Sequence, residues 1–379
     1  MKIAFYAPLK PPTSSIPSGD RLIGRLLMQA LGEAGHQVEL MSRFRSYDRD
    51  GDAVRQHRLQ VLGQKMANRI VCRINKRTPA DRPKIWLTYH LYHKAPDWIG
   101  PHVALALGIP YVISEASFAP KQENGPWALG HSAVRDSLAE AEMVIGLNSE
   151  DAACIIPCLS GPERYQSLRP FLDNTPFLSA VKDRGVHRKV IAEDLSLDPK
   201  TPWLLTVAMM RPGDKVQSYE LLAKALMGLR EEKWNLLIVG SGPAEDQVRA
   251  LFSEMSGSVF WLGKVDADRL AAVYAASDVF VWPAVKESPG MCFLEAQAAG
   301  IPVVGSDAGG VPDVVEHGET GLLAKHMDVS DFAASVRDLL NDESKRLGMG
   351  RAAAMHIAAR HGTRTAGRRL SALLSEAVQ

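Results

Sequence analysis

Val279-Phe280-Val281-Trp282 and Pro302-Val303-Val304-Gly305 are two short apolar runs. Between them lies Pro283-Ala284-Val285-Lys286-Glu287-Ser288-Pro289-Gly290-Met291-Cys292-Phe293-Leu294-Glu295, followed by residues up to Gly300-Ile301. The two runs read as buried strands, bounded as strands are by proline and glycine. A helix is expected from about Gly290 to just before Gly300, with Pro289 at its entry, where a missing N–H removes no hydrogen bond. Strand, helix and strand form a βαβ unit, which commits this region to a parallel sheet.

The same alternation runs outward in both directions. Towards the N-terminus it predicts strands at Trp203–Ala208, Asn235–Val239 and Val259–Leu262, and, further back, at Ile3–Ala7, Val38–Met41, Ile85–Tyr89, Pro110–Ser114 and Met143–Leu147. Helical patterns fill the gaps, among them Arg21–Ala34, Ser218–Glu231, Ala244–Glu254, Ala267–Ala276 and Asp331–Asn341. The rhythm breaks between Leu159 and Pro202, a stretch with five prolines. The expected architecture is α/β: two Rossmann-like, doubly wound halves facing across an interdomain cleft, since such sheets bind ligands at their strands' carboxyl ends. The boundaries are 1–175 for the first domain, 176–201 for a linker, 202–358 for the second domain, and 359–379 for a terminal helix.

Composition narrows the function. The 379 residues are 46% hydrophobic and 23% charged, with a net charge of +1, which excludes wholesale disorder and argues against a nucleic-acid partner. No run approaches the roughly 18 apolar residues of a membrane span. Four cysteines without paired spacing fit free thiols in a reducing cytoplasm, and the opening Lys2–Ala7 region reads as a strand rather than a leader. Residues 43–84 hold twelve Lys/Arg against four Asp, so the near-neutral total conceals a local +8.

The chemistry concentrates around the opening segment. Glu287 precedes the helix and Glu295 lies one to two turns inside it, so two carboxylates flank the terminus. The free amides of Gly290 and Met291 there suit a phosphate, and the carboxylates suit vicinal sugar hydroxyls. For an isolated pair of acids, a surface loop acid and a solvated helix residue would be the better reading; the neighbouring segments shift the balance. After the strand Leu204–Ala208 come Arg211 and Lys215, a fork and a point charge fitted to a diphosphate. Gly240-Ser241-Gly242 follows another strand, a Gly-x-Gly turn lacking the third glycine of a dinucleotide fingerprint.

Taken together, these segments resemble the family 4, or group 1, retaining glycosyltransferases of GT-B fold. Glu287-x7-Glu295 resembles the family's paired glutamates; Ala298-Ala299-Gly300-Ile301-Pro302 through Gly309-Gly310-Val311-Pro312 resembles the helix, strand and turn that follow; and Glu316–Leu323 resembles the next hairpin. The resemblance implies a transferase that moves a sugar from a nucleoside diphosphate sugar to an envelope polysaccharide, glycolipid or similar acceptor, with retention and without a cofactor or metal. It implies that Glu295 holds the ribose, that Glu287 holds the transferred sugar, and that Gly290 and Met291 meet sugar or phosphate oxygens. Arg211 and Lys215 resemble the diphosphate clamp, one residue closer together than usual. Gly242 lies in a donor-side turn, and Gly263-Lys264-Val265 resembles the base-contacting loop. The terminal helix is expected to cross back onto the first domain.

In the first half, Pro17-Ser18-Gly19-Asp20-Arg21 resembles the family's glycine loop, with Ser18 in place of one glycine. Glu115 stands where many members carry a histidine, so a histidine's role does not transfer to it. His90 and His93 follow a strand; Asp20, His90 and Glu115 are candidate contacts to acceptor or sugar, and ordinary loop positions are the alternative. Three Asp-x-Asp triplets read as turns or, at Asp266, as a helix cap. The basic segment carries an apolar stripe (Leu59, Leu62, Met66, Ile70, Ile74) beside Arg58, Lys65, Arg69, Arg73 and Lys76. It reads either as a packed helix with a solvated face or as a peripheral contact, through residues 55–77, with an anionic membrane on its cytoplasmic side. A nucleotide-sugar 2-epimerase of the same fold and a non-catalytic sugar-nucleotide-binding protein are the alternative functions.

Overall fold

The computed structural model describes residues 1–16, 18–149, 151–286 and 290–378. The chain divides into two compact units: Met1–Arg169 with Thr363–Gln379, and Pro170–Gly362.

The first unit contains β1 (Lys2–Tyr6), β2 (Gln37–Leu40), β3 (Ile85–Leu91), β4 (Tyr111–Ala116), β5 (Met143–Gly146) and β6 (Tyr165–Ser167). They form one parallel sheet in the order β2-β1-β3-β4-β5-β6. The second unit contains β7 (Trp203–Val207), β8 (Asn235–Val239), β9 (Val259–Gly263), β10 (Val279–Val281), β11 (Val303–Ser306) and β12 (Gly321–Ala324). These are also all parallel, in the order β12-β11-β10-β7-β8-β9. Both orders are doubly wound, and each reverses direction once: between β1 and β3 in the first unit, and between β7 and β10 in the second. Ligands of open α/β sheets bind beyond the strands' carboxyl ends at such reversals.

In the first unit, helix Gly19–Glu33 starts where the Ser18 hydroxyl accepts from the Arg21 amide at 3.2 Å. Its buried face (Ile23, Leu26, Leu27, Ala30, Leu31) follows helical spacing. Helix Thr363–Val378 packs on that face, and a Cβ at Gly367 would sit 2.3 Å from the Ala30 carbonyl oxygen, so the backbones touch only because residue 367 has no side chain.

Residues 176–201, expected as a linker, fold into the second unit as helices Thr175–Lys182 and Arg184–Leu195. Pro176, which suggested irregular chain, occupies the first turn of a helix, where proline fits. Arg184 and Arg188 both pair with Asp278, at 2.8 and 2.9 Å. They also donate to the carbonyls of Ala275, Ser277 and Ala276 at the end of helix Ala267–Ala276. Cations are favoured at a helix C-terminus, so these two arginines dock the segment.

Helix Ala53–Asn75 follows the Asp52 cap, but its buried line runs through Gln56, Gly63, Ala67, Ile70 and Ile74. Leu62 is 40% exposed, not part of an apolar stripe. The cause is Gly63, where a Cβ would lie 2.3 Å from the Trp98 Cβ and so turns that face inward. The expected hairpin over Glu316–Leu323 is instead a turn leading into β12, which pairs parallel to β11.

Candidate functional site

In the second unit the loops after β7 and β10 flank the sheet reversal and are tied together. The Val285 amide donates to Ser218 Oγ at 3.0 Å. Lys215, at the start of helix Asp214–Met227, places its Nζ 5.4 Å from the Trp282 ring centroid. Trp282 is buried and packs edge-on against Tyr219, with centroids 4.9 Å apart. Arg211 is exposed in the preceding loop. Both cations of the expected clamp therefore lie at the reversal point.

Glu287 lies outside the described residues. Gly290 is the N-cap of helix Met291–Ala298, and its carbonyl accepts from the Phe293 and Leu294 amides. The amides of Gly290 and Met291 belong to the terminus, where a helix leaves its first donors without intrahelical partners. One turn further in is Glu295. The Tyr274 hydroxyl donates to Glu295 Oε2 at 2.9 Å. Burial pushes the Glu295 pKa up to about 7, with the Tyr274 hydrogen bond opposing the shift. Tyr274 escaped the sequence reading because it sits in an alanine-rich helix, where an aromatic residue suggests packing alone. A polar tip on a buried ring, in need of a partner, was the available signal.

The Gly240-Ser241-Gly242 turn has a structural purpose that the sequence did not reveal. A Cβ at Gly240 would come within 1.9 Å of the Ala208 carbonyl oxygen, and one at Gly242 within 2.2 Å of that of Met210. Met210 donates to the Ser241 carbonyl at 3.1 Å and accepts from the Ala244 amide at 3.0 Å, so these glycines let two loops run in backbone contact just before Arg211. Val265, half-buried, precedes helix Ala267–Ala276, whose Asp266 cap accepts from the Arg269 amide at 2.8 Å.

The first unit gathers its candidates at its own reversal. Gly19 opens the helix after β1, with open space where a Cβ would be. Asp20 Oδ1 lies 3.0 Å from His90 Nδ1 at the end of β3. In the register of β3 and β4, Tyr89 pairs with Ser114 and Leu91 with Ala116, so His90 is level with Glu115. Both residues have left-handed backbones, with φ of 61°. Non-glycine residues held this way are strained, and such positions cluster at functional sites. Burial disfavours the charged imidazole, but the Asp20 bond and the Glu115 charge outweigh it and hold the His90 pKa above its ordinary value. Burial likewise raises the Glu115 carboxyl, opposed by His90. Glu115 Oε2 and Tyr89 Oη are buried without hydrogen-bond partners. Asp151, which the sequence did not single out, adds its charge to both His90 and Glu115. His93 lies edge-on to Trp127, with centroids 5.7 Å apart, and meets His90 only through the Tyr92 ring between them. Among the described residues, no cluster of three or more His, Cys, Asp or Glu is arranged to hold a metal ion.

Residues 201–342 match the family profile described as glycosyl transferases group 1. Residues 201–342 thus carry the sequence of a group 1 glycosyltransferase. The chain is a glycosyltransferase that moves a sugar from a nucleoside diphosphate sugar to an acceptor. The D-inositol 3-phosphate glycosyltransferase of Pseudarthrobacter chlorophenolicus is 28% identical over 95% of this glycosyltransferase and 91% of its own length. The N-acetyl-alpha-D-glucosaminyl L-malate synthase of Bacillus anthracis is 38% identical over 54% of each chain. The sulfoquinovosyl transferase of Arabidopsis thaliana is 38% identical, but the match covers only 27% of that protein. Among solved structures, Anabaena HepE in complex with UDP superposes with a TM-score of 0.72 at 18% identity, covering 99% of this chain and all of that one. The sucrose-phosphate synthase of Thermosynechococcus elongatus gives 0.71 at 19% identity, covering 99% of this chain and 98% of that one. These likenesses establish the GT-B fold.

Proposed function

We propose that this glycosyltransferase retains the configuration of the transferred sugar and passes it to a glycan or lipid-linked acceptor. Glu295 is assigned to the ribose hydroxyls, Arg211 and Lys215 to the diphosphate, the Gly290 and Met291 amides to sugar or phosphate oxygens, and Val265 to the base-side loop. Glu287 is assigned to the transferred sugar from sequence alone. On the first unit, Gly19, Asp20, His90 and Glu115 are assigned to the transferred sugar or the acceptor. The observation that carries this reading is the gathering of Lys215, Arg211 and the helix bearing Glu295 around one sheet reversal. Cations fixed there stabilise the charge that develops on a diphosphate leaving group, without reorganising during the reaction.

A lipid-linked acceptor is supported by helix Ala53–Asn75, which contains five Lys/Arg and no acidic residue. Among the described residues, Arg58, Lys65 and Arg69 are exposed and form no ion pair. No described helix is long and apolar enough to cross a membrane. Such a face is drawn to an anionic bilayer by about 1 kcal/mol per basic residue near the surface.

A thermal-shift screen against UDP-, GDP- and ADP-sugars tests the donor, since a ligand that binds only the folded state raises its midpoint. At least one series should raise it, and Glu295→Ala should abolish the rise. No shift with any donor, together with no transfer, would sink the assignment. Vesicles containing phosphatidylserine should pellet the wild type but not R58Q/K65Q/R69Q; equal pelleting removes the membrane contact.

A further inference from the structure

The constellation at the end of β3 and β4 has a charge pattern with a consequence for substrate class. Asp20, Glu115 and Asp151 all act on the His90 imidazole. Lys10 is near enough to act on Asp20. Arg21, the neighbour of Asp20, turns away, and its Nη1 donates to the Ser14 carbonyl at 3.0 Å. Three carboxyl groups thus face one imidazole and one lysine.

The unpaired atoms add a second, independent constraint. Tyr89 is 1% exposed, and its hydroxyl has no hydrogen-bond partner; Glu115 Oε2 is buried beside it in the same condition. The Tyr89 ring lies 5.8 Å from that of His90, centroid to centroid, which sets it beside this group. Buried polar atoms left unpaired in a folded protein call for an explanation, and a ligand is one. A sugar hydroxyl both donates and accepts, so it can answer a carboxylate oxygen and a phenol at once. A phosphate or carboxylate only accepts; it would leave Glu115 Oε2 unpaired and bring a negative charge up against three carboxyl groups.

We infer that the group received at Asp20, His90 and Glu115 is an uncharged, hydroxyl-bearing sugar or polyol ring, and that anionic substituents on that ring are excluded. The inference rests on the glycosyltransferase reading above and deepens it. The hydroxyls belong either to the transferred sugar or to the acceptor. His90 supplies the donor for a ring oxygen, and Glu115 accepts from a ring hydroxyl. The strained backbones at both positions keep the two side chains at the strand ends, where a ligand can reach them.

Titration calorimetry tests this with two matched pairs of ligands. The first is a hexose and a hexuronate carried on whichever nucleoside diphosphate raises the midpoint. The second, with that nucleoside diphosphate bound, is myo-inositol and inositol 3-phosphate. The neutral member of one pair should bind at least about tenfold more tightly, since an unfavourable charge contact near a protein surface is worth that much or more. Discrimination in the first pair places the transferred sugar at the constellation; discrimination in the second places the acceptor there. Glu115→Gln combined with Asp20→Asn should shrink the preference severalfold while leaving affinity for the nucleoside diphosphate unchanged. Equal binding in both pairs, or preference for a charged member, overturns the inference on the wild type alone, whatever the variant's stability. A preference that survives intact in a variant melting like the wild type also overturns it. If no nucleoside diphosphate sugar binds at all, the underlying donor assignment fails first and this inference falls with it.

Discussion

The Tyr274 hydroxyl and Glu295 Oε2 stand 2.9 Å apart, so the carboxyl assigned to the ribose is held by a phenol before any ligand arrives. The folded pKa of Glu295, about 7, lies above its ordinary 4.5. Between those values the folded chain keeps a proton that the unfolded chain releases, so the contribution of Glu295 to stability is complete below 4.5 and is lost as pH rises through 7. Glu295→Gln should therefore melt at a temperature less dependent on pH between 5 and 8, a range chosen to bracket these values. Ribose hydroxyls donate to the carboxylate form, so donor affinity should rise with pH, by about tenfold from pH 6 to pH 8 for a group titrating in the middle. Calorimetry across that range checks it, and a flat profile rejects the ribose role.

Gly240→Ala and Gly242→Ala should each destabilise the protein by about 1–3 kcal/mol, the usual penalty for forcing atoms into a packed site. Both added methyls would meet backbone carbonyl oxygens, which cannot swing aside. Gly240 also has φ of 142°, so its substitution is strained twice over. Urea denaturation measures the loss; wild-type stability in both variants would contradict the loop contact described.

Arg211→Ala should lower kcat about a hundredfold, the scale for removing one group that stabilises transition-state charge. Because Arg211 is exposed, its melting temperature should not move. A lowered melting temperature with unchanged kcat would assign it a structural role instead.

Asp20→Asn should lower the pKa of His90 towards the ordinary imidazole value of about 6.5, because it removes the hydrogen bond that favours the charged ring. Titration of the ring by NMR reads this directly. An unmoved pKa would leave Glu115 and Asp151 as the groups that hold the charge.

Much of this was legible in the sequence because alternating apolar runs report buried parallel strands. Asn235–Val239 and Ala267–Ala276 fall on the residues expected, and helix Thr363–Val378 lies inside the expected 359–379. Tyr165–Ser167 was not expected as a strand, being three residues of polar and aromatic character at a sheet edge. The helices over 175–195 were hidden by prolines, which mark a helix start as readily as a break. Spacing did put Arg211 and Lys215 just after β7, one in the loop and one in the first turn of the helix that follows. It said nothing of Tyr274, Asp151 or the paired left-handed residues His90 and Glu115, because those relationships exist only across neighbouring elements. The glycines at 240 and 242 suggested a donor-side turn; that they also let two backbones meet could not be read from their spacing.

Helix Thr363–Val378 belongs to the first unit although the whole second unit precedes it in the chain. Domains commonly fold in the order in which they are synthesised. Here that order is interrupted: until residues 363–378 leave the ribosome, the Ile23–Leu31 face of the first helix waits without its cover, while the second unit already has all of its own chain. The unit made first is therefore the last to be completed, and its unfinished apolar face is the one a chaperone would meet during translation.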